Sequence, residues 1–238
     1  MSTQPLCQDK LKSWNGQKEK TICQNRLEAK QTSLVCRNHK QVTVKVLSHR
    51  MKLSVILSRA SNRTNLKIIH LLRDPRAIIA SRLRLGWISK TGTLKIQEFC
   101  NRMSEDLQFV TTSTISRNYM ILRYEDLVAN VFPVVTNIFL TTGLDLTDNL
   151  EKWLVENTRW SGSIDTLEPF RTTKRNALRT AHFWRKNISM NAVRIVEENC
   201  KVVMKEAGYR RVTDVHELRN ETLSLLVRPT DIINQFLL

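Results

Sequence analysis

The segment Lys67–Arg82 (KIIHLLRDPRAIIASR) narrows the folds open to this chain more than any other. Leu66–Leu72 (LKIIHLL) is a short apolar run of the kind that forms a buried parallel strand. It passes straight into Arg73-Asp74 and a helical stretch whose first position is Pro75. Proline suits that position because the N–H it lacks would have had no intrahelical partner, and Asp74 fits the N-cap. In a parallel α/β layer the C-terminal ends of strands border the ligand crevice, where helix N-termini attract anions. Arg73 leaves the strand end with a planar fork suited to bidentate phosphate contact. Ser81, a little over two helical turns further on, can present its hydroxyl on the same side. The plainer alternative is a local ion pair beside a helix cap, with Ser81 as a small packing residue.

Elsewhere the pattern also alternates. Val42–Leu47 and Tyr119–Tyr124 read as strands. Met51–Ala60, Arg76–Leu85, Leu94–Thr112, Val131–Thr142, Asn149–Glu156 and Ala192–Ala207 read as helices. Strands alternating with helices predict an α/β fold with a mainly parallel sheet. Residues 1–34 read as a basic, poorly structured lead-in with a helix near Thr21–Lys30, and residues 211–238 as a loosely packed tail. No apolar stretch approaches the ~20 residues of a spanning helix, and the N-terminus has no apolar signal core.

Lysine and arginine number 38 against 22 acidic residues in 238, a formal net charge of +16. The surplus is lopsided, since residues 1–100 hold 20 basic and 5 acidic side chains. That points to an anionic partner: nucleic acid, phosphorylated nucleotide, acidic polysaccharide or anionic membrane, with solvated basic faces as the bland alternative. Aromatic residues make up only 6% and no nucleic-acid-binding signature is present, so nucleic acid is not expected. The five cysteines include no C-x-x-C pair and no zinc spacing, so no metal is expected and their pairing stays open. Sequons at Asn62, Asn187 and Asn220 lend modest support to a secretory-pathway protein. His70 reads as a packed core histidine. His182 lies close to Trp184 and could act as a donor there.

LLRDPRAIIASR resembles the 3′-phosphate-binding motif of sulfotransferases, above all the Golgi carbohydrate sulfotransferases that modify a 6-hydroxyl of galactose or N-acetylglucosamine. VTVKVLSHRMKLSVIL before it is similar to a strand and helix of that family. Met120–Leu127 resembles its RYEDL strand end, and Trp153–Thr158 its W-L-x-x-N-T stretch. Phe170–Arg185 is similar to its T-x-R-N-…-W-R segment, and Cys200 with Gly208-Tyr209 also matches. The pieces cover residues 35–210 in order. The resemblance implies a P-loop-like sulfotransferase fold, 3′-phosphoadenosine 5′-phosphosulfate as donor without a metal, and a glycan acceptor. It also implies a Golgi location and membrane-anchored full-length relatives. Arg73 and Ser81 would hold the 3′-phosphate, with Arg175, Trp184 and Arg185 supporting the nucleotide. Glu125 and Asp126 would fix a strand end and cap the next helix rather than act in acid–base chemistry, and no catalytic base is identified.

One family feature has no counterpart. The loop that cradles the 5′-phosphosulfate, usually R-x-G-[ST]-[ST], needs small residues so that backbone N–H groups can approach the phosphate. Of the six glycines, none precedes Arg73 in a suitable strand–loop–helix, and Trp160-Ser161-Gly162-Ser163 follows a helix. The expectation is a partial domain that lacks the N-terminal strand and this loop, through an incomplete gene model or a truncated homologue. An inactive homologue that binds nucleotides or anionic glycans is the competing function.

Overall fold

The computed structural model describes residues 10–14, 19–23, 33–34, 37–38, 41–46, 66–89, 92–112, 118–159, 176–234 and 237. The chain forms two units, Met1–Met51 and Lys52–Leu238. In the first, β1 (Lys10–Trp14) pairs antiparallel with β2 (Glu19–Cys23), with Lys10 opposite Cys23 and Trp14 opposite Glu19. Thr21–Cys23 therefore belong to a strand and not to the expected helix, whose remainder lies outside the described residues. Val42–Val46 make no ladder, and Val44 is 73% exposed. Alternation alone does not make a strand: it needs a neighbour and a face to cover. The helix read over Met51–Ala60 lies outside the described residues.

In the second unit β3 (Ile68–Leu72) runs parallel to β4 (Tyr119–Arg123), in register from Ile68↔Tyr119 to Leu72↔Arg123. A parallel bridge from Ile121 to Leu237 continues the sheet on the far side of β4. The parallel sheet among the described residues is thus small. β3 is also covered on one face only: Leu72 is buried and His70 turns the same way, whereas Ile69 and Leu71 are exposed. The expectation of a strand buried on both faces fails there, because no described element lies over the outer face.

Helices surround the pair in chain order: α1 (Pro75–Arg84), α2 (Thr93–Thr112), α3 (Tyr124–Ala129), α4 (Val131–Thr142), α5 (Asp148–Thr158), α6 (Ala177–His182) and α7 (Trp184–Asn187). They continue with α8 (Met190–Asn199), α9 (Lys201–Ala207), α10 (Val215–Arg219) and α11 (Asp231–Asn234). α1 is built as its sequence suggests, with Pro75 in the first turn and the Asp74 carboxylate accepting from Arg76 N–H. It packs on two sides. Ile79 joins a core with Leu72, Phe99, Ile121, Val196 and Val203, while Ala77 joins a second with Trp184, Ile188, Val193 and Leu218. The helix expected over Ala192–Ala207 is divided at Cys200, which is disulfide-bonded to Cys100 of α2 with 4.8 Å between Cα atoms.

The C-terminal residues pack tightly, contrary to the loosely packed tail expected. Val212, Leu218, Leu225 and Ile233 are all buried. Gly208 makes the turn into this region. Its φ of +74° is left-handed, and a Cβ there would sit 2.3 Å from Val227 O, so only glycine fits.

Candidate functional site

The β3–α1 turn is held by two buried networks. The Arg76 guanidinium, with no exposed surface, donates from Nε and Nη2 to Asp74 at 3.0 and 2.7 Å. Its Nη1 reaches Glu197 Oε1 at 2.7 Å and Arg210 O at 2.9 Å. It also lies 5.2 Å from the Trp184 ring centre. Burial opposes its charge, but Asp74 and Glu197 more than offset this and hold its pKa above the usual arginine value. The second network starts at Glu125, whose Oε1 accepts from Asp74 N–H at 3.0 Å and whose Oε2 accepts from Tyr209 O–H at 2.9 Å. Burial, reinforced by the Asp74 carboxylate, pushes the Glu125 pKa up. One carboxylate thus ties the turn to both α3 and the Gly208-Tyr209 corner.

RYEDL is a structural node, as its resemblance implied, with one difference. α3 has no side-chain cap, because its N-cap residue is Arg123, whose side chain carries only donors. Arg123 pairs with Asp126 and donates to Ala207 O at 3.0 Å and Val227 O at 3.1 Å. It thereby ties β4 to the end of α9 and the C-terminal segment.

Arg73 behaves differently from these arginines. It is half-buried at the C-terminal end of β3, with its guanidinium 4.7 Å from the Tyr124 ring centre. Its hydrogen bond to Thr180 O, from Nη2, is long at 3.4 Å, and its buried Nε has no partner among the described residues. A buried N–H left unpaired costs about 1–3 kcal/mol. The other such nitrogen, Arg219 Nη1, belongs to a fork whose Nη2 donates to Ile188 O at 2.8 Å. Arg73 is therefore a cation held by a braced turn, with hydrogen-bonding capacity the described residues do not fill. An oxyanion of a phosphate suits that guanidinium in chemistry and charge. Ser81 lies half-buried on α1 with no hydrogen bond to its hydroxyl among the described residues.

The remaining sequence candidates fall elsewhere. Arg175 lies outside the described residues. Trp184 is buried in the second core against Arg76. Arg185 is 1% exposed and donates to the carbonyls of Leu218, Leu223, Glu217 and Asn220 at 2.8, 2.9, 3.0 and 2.6 Å. Its fork closes the end of α10. His70 pairs with the Tyr119 hydroxyl, and burial lowers its pKa to about 4. His182, half-buried at the end of α6, has its pKa lowered by burial and then by Arg185. Sequence reasoning missed Arg76 and Glu197, and named Tyr209 only within the Gly208-Tyr209 match.

Comparison with known proteins adds an independent line. The model of the sulfotransferase domain matches residues 17–208. Carbohydrate sulfotransferase 5 of Mus musculus is 32% identical over 183 residues, covering 68% of this chain and 46% of the relative. Carbohydrate sulfotransferase 6 of Homo sapiens is 30% identical over 213 residues, 81% of this chain and 54% of the relative. Carbohydrate sulfotransferase 1 of Danio rerio is 27% identical over 247 residues, 95% of this chain and 58% of the relative. The chain spans about half the length of the curated relatives it matches. No solved structure matches. With most of its length inside the domain match, this chain belongs to the sulfotransferase family.

Proposed function

We propose that the Arg73 site receives the 3′-phosphate of 3′-phosphoadenosine 5′-phosphosulfate, in a protein whose family role is sulfuryl transfer to a glycan 6-hydroxyl in the Golgi. The observation that carries this reading is the Arg73 Nε, which has no hydrogen-bond partner among the described residues, on a turn where Asp74 and Arg76 are held by buried hydrogen bonds. When bound, the donor supplies the sulfuryl group that passes to the acceptor hydroxyl. Arg73 would hold the phosphate by its fork and Ser81 by its hydroxyl, with the Tyr124 ring keeping the guanidinium in place. The Asp74–Arg76–Glu197 and Glu125–Asp74 contacts keep the turn from relaxing, so little reorganisation is needed on binding. Arg175 is assigned a supporting contact to the nucleotide. Trp184 and Arg185 support it indirectly, by fixing Arg76 and the end of α10.

A second reading follows from the sequence itself: these 238 residues contain no R-x-G-[ST]-[ST] loop. They would then bind the 3′-phosphate half of the donor without transferring sulfate. Retention on immobilised adenosine 3′,5′-bisphosphate, eluted by the free bisphosphate and not by adenosine 5′-monophosphate, tests the shared step. Retention with sulfate transfer to a galactose or N-acetylglucosamine acceptor supports the enzyme. Retention without transfer supports the binding module, and a folded chain that is not retained refutes both.

A further inference from the structure

We propose that Asn220 is an N-glycosylation site and carries a glycan in the folded protein. Asn220 follows α10 and is exposed, as are Glu221 and Thr222. Its sequon is already folded as an Asx turn. The Asn220 Oδ1 accepts from Thr222 N–H at 3.1 Å and from the Thr222 hydroxyl at 2.6 Å. Asn220 Nδ2 has no hydrogen-bond partner among the described residues. The main chain beneath is fixed: Asn220 N–H donates to His216 O at 3.0 Å, and its carbonyl accepts from the buried Arg185 fork at 2.6 Å. A sugar on Nδ2 would therefore break no internal bond.

The sequon at Asn187 is the internal contrast. Its Nδ2 donates to Phe183 O at 3.1 Å within α7, and Ile188 is 3% exposed. The Ser189 hydroxyl is engaged as the cap of α8, accepting from Ala192 N–H at 3.2 Å. The Cys100–Cys200 disulfide adds a separate reason to place the chain in an oxidising compartment, where sequons of this type are read. In the transfer, Asn220 Nδ2 forms a bond to the anomeric carbon of an oligosaccharide carried on a polyprenyl diphosphate. The carbon–oxygen bond to the diphosphate breaks, the diphosphate leaves with the electron pair, and the amide proton passes to a base of the transferring enzyme.

The test is to direct the full chain into the secretory lumen with a cleavable signal peptide and verify entry by protease protection. Peptides are then mapped after treatment with an N-glycosidase that converts each glycosylated asparagine to aspartate. The expected result is aspartate at 220 and asparagine at 187. Asn220→Gln and Thr222→Ala should each abolish one glycosidase-sensitive gel shift, and Thr222→Ser should keep it. Unmodified Asn220 in protected chain, or occupancy at 187 without 220, overturns the assignment. The site rests on the lumenal placement in the proposed function. Because the signal peptide imposes entry, failure here counts against Asn220 alone, while failure to bind the bisphosphate counts against the sulfuryl-transfer reading.

Discussion

Replacing Arg76 by methionine removes the cation from a cluster in which the Arg76, Asp74 and Glu197 side chains are 0%, 5% and 2% exposed. The variant keeps comparable length but leaves the Asp74 carboxylate without its counter-ion, while Glu197 keeps Arg211 Nε at 3.5 Å and Val212 N–H at 3.1 Å. It also abandons Arg210 O, which accepts from Arg76 at 2.9 Å. Breaking a buried ion pair by removing one partner typically costs about 3–5 kcal/mol, because the stranded charge has lost both water and its counter-ion. At about 2–4 °C per kcal/mol for a chain of this size, the midpoint should fall by roughly 6–20 °C. Urea and thermal unfolding followed by circular dichroism read this directly. The triple variant Arg76→Met, Asp74→Asn, Glu197→Gln removes all three charges while keeping a competent N-cap, and should recover most of the loss. A single variant that loses under ~1 kcal/mol, or a triple no better than the single, would refute a buried ionic clamp.

Other consequences are independent of that cluster. Reducing Cys100–Cys200, or replacing either cysteine by serine, should cost up to about 4.7 kcal/mol on the chain-entropy model for a loop of 100 residues. Wild type should then lose more stability than Cys100→Ser on adding dithiothreitol. His70, with its folded pKa lowered to about 4 from 6.5, stabilises the fold fully above pH ~6.5. That contribution, at most about 3 kcal/mol, is lost as pH falls from 6.5 through the folded pKa, since the unfolded chain then binds the extra proton. A His70→Phe variant should flatten this limb of the stability–pH curve, and an unchanged limb would show that another group controls it. Arg185→Lys should lower stability, because an ammonium cannot span four carbonyls. A Kd change for the bisphosphate at unchanged stability would instead mark Arg185 as a nucleotide contact. Gly208→Ala should cost more than an exposed left-handed glycine would, as its Cβ meets Val227 O; a loss under ~1 kcal/mol would contradict that packing.

The β3–α1 junction was legible in the sequence because its signals are local. Asp74 caps and Pro75 starts the helix through bonds within two residues. Arg76 was not legible, since arginine is rarely buried and its partner Glu197 lies 121 residues away. The C-terminal segment was misread for a related reason. Val212 and Leu225 lie in irregular segments and Ile233 in the four-residue α11, all too short for a period, so their burial leaves no hydrophobic pattern to detect. Pairing between Cys100 and Cys200 is beyond any spacing argument with five cysteines available. The order of motifs from LLRDPR to Gly208-Tyr209 indicated the family, because each fragment is weak but their succession is not. The Val42–Leu47 alternation misled, as strand propensity has meaning only beside a partner strand.

The central claim is that Arg73 is a phosphate ligand on a preorganised turn. Its most direct test is calorimetric titration of the 238-residue chain with adenosine 3′,5′-bisphosphate at fixed salt, beside Arg73→Ala and Arg73→Lys. A phosphate site at Arg73 predicts saturable one-site binding by wild type, abolished by alanine and strongly weakened by lysine, with thermal midpoints matched among the three. Equal binding by all three chains, or no binding by a folded wild type, would contradict it.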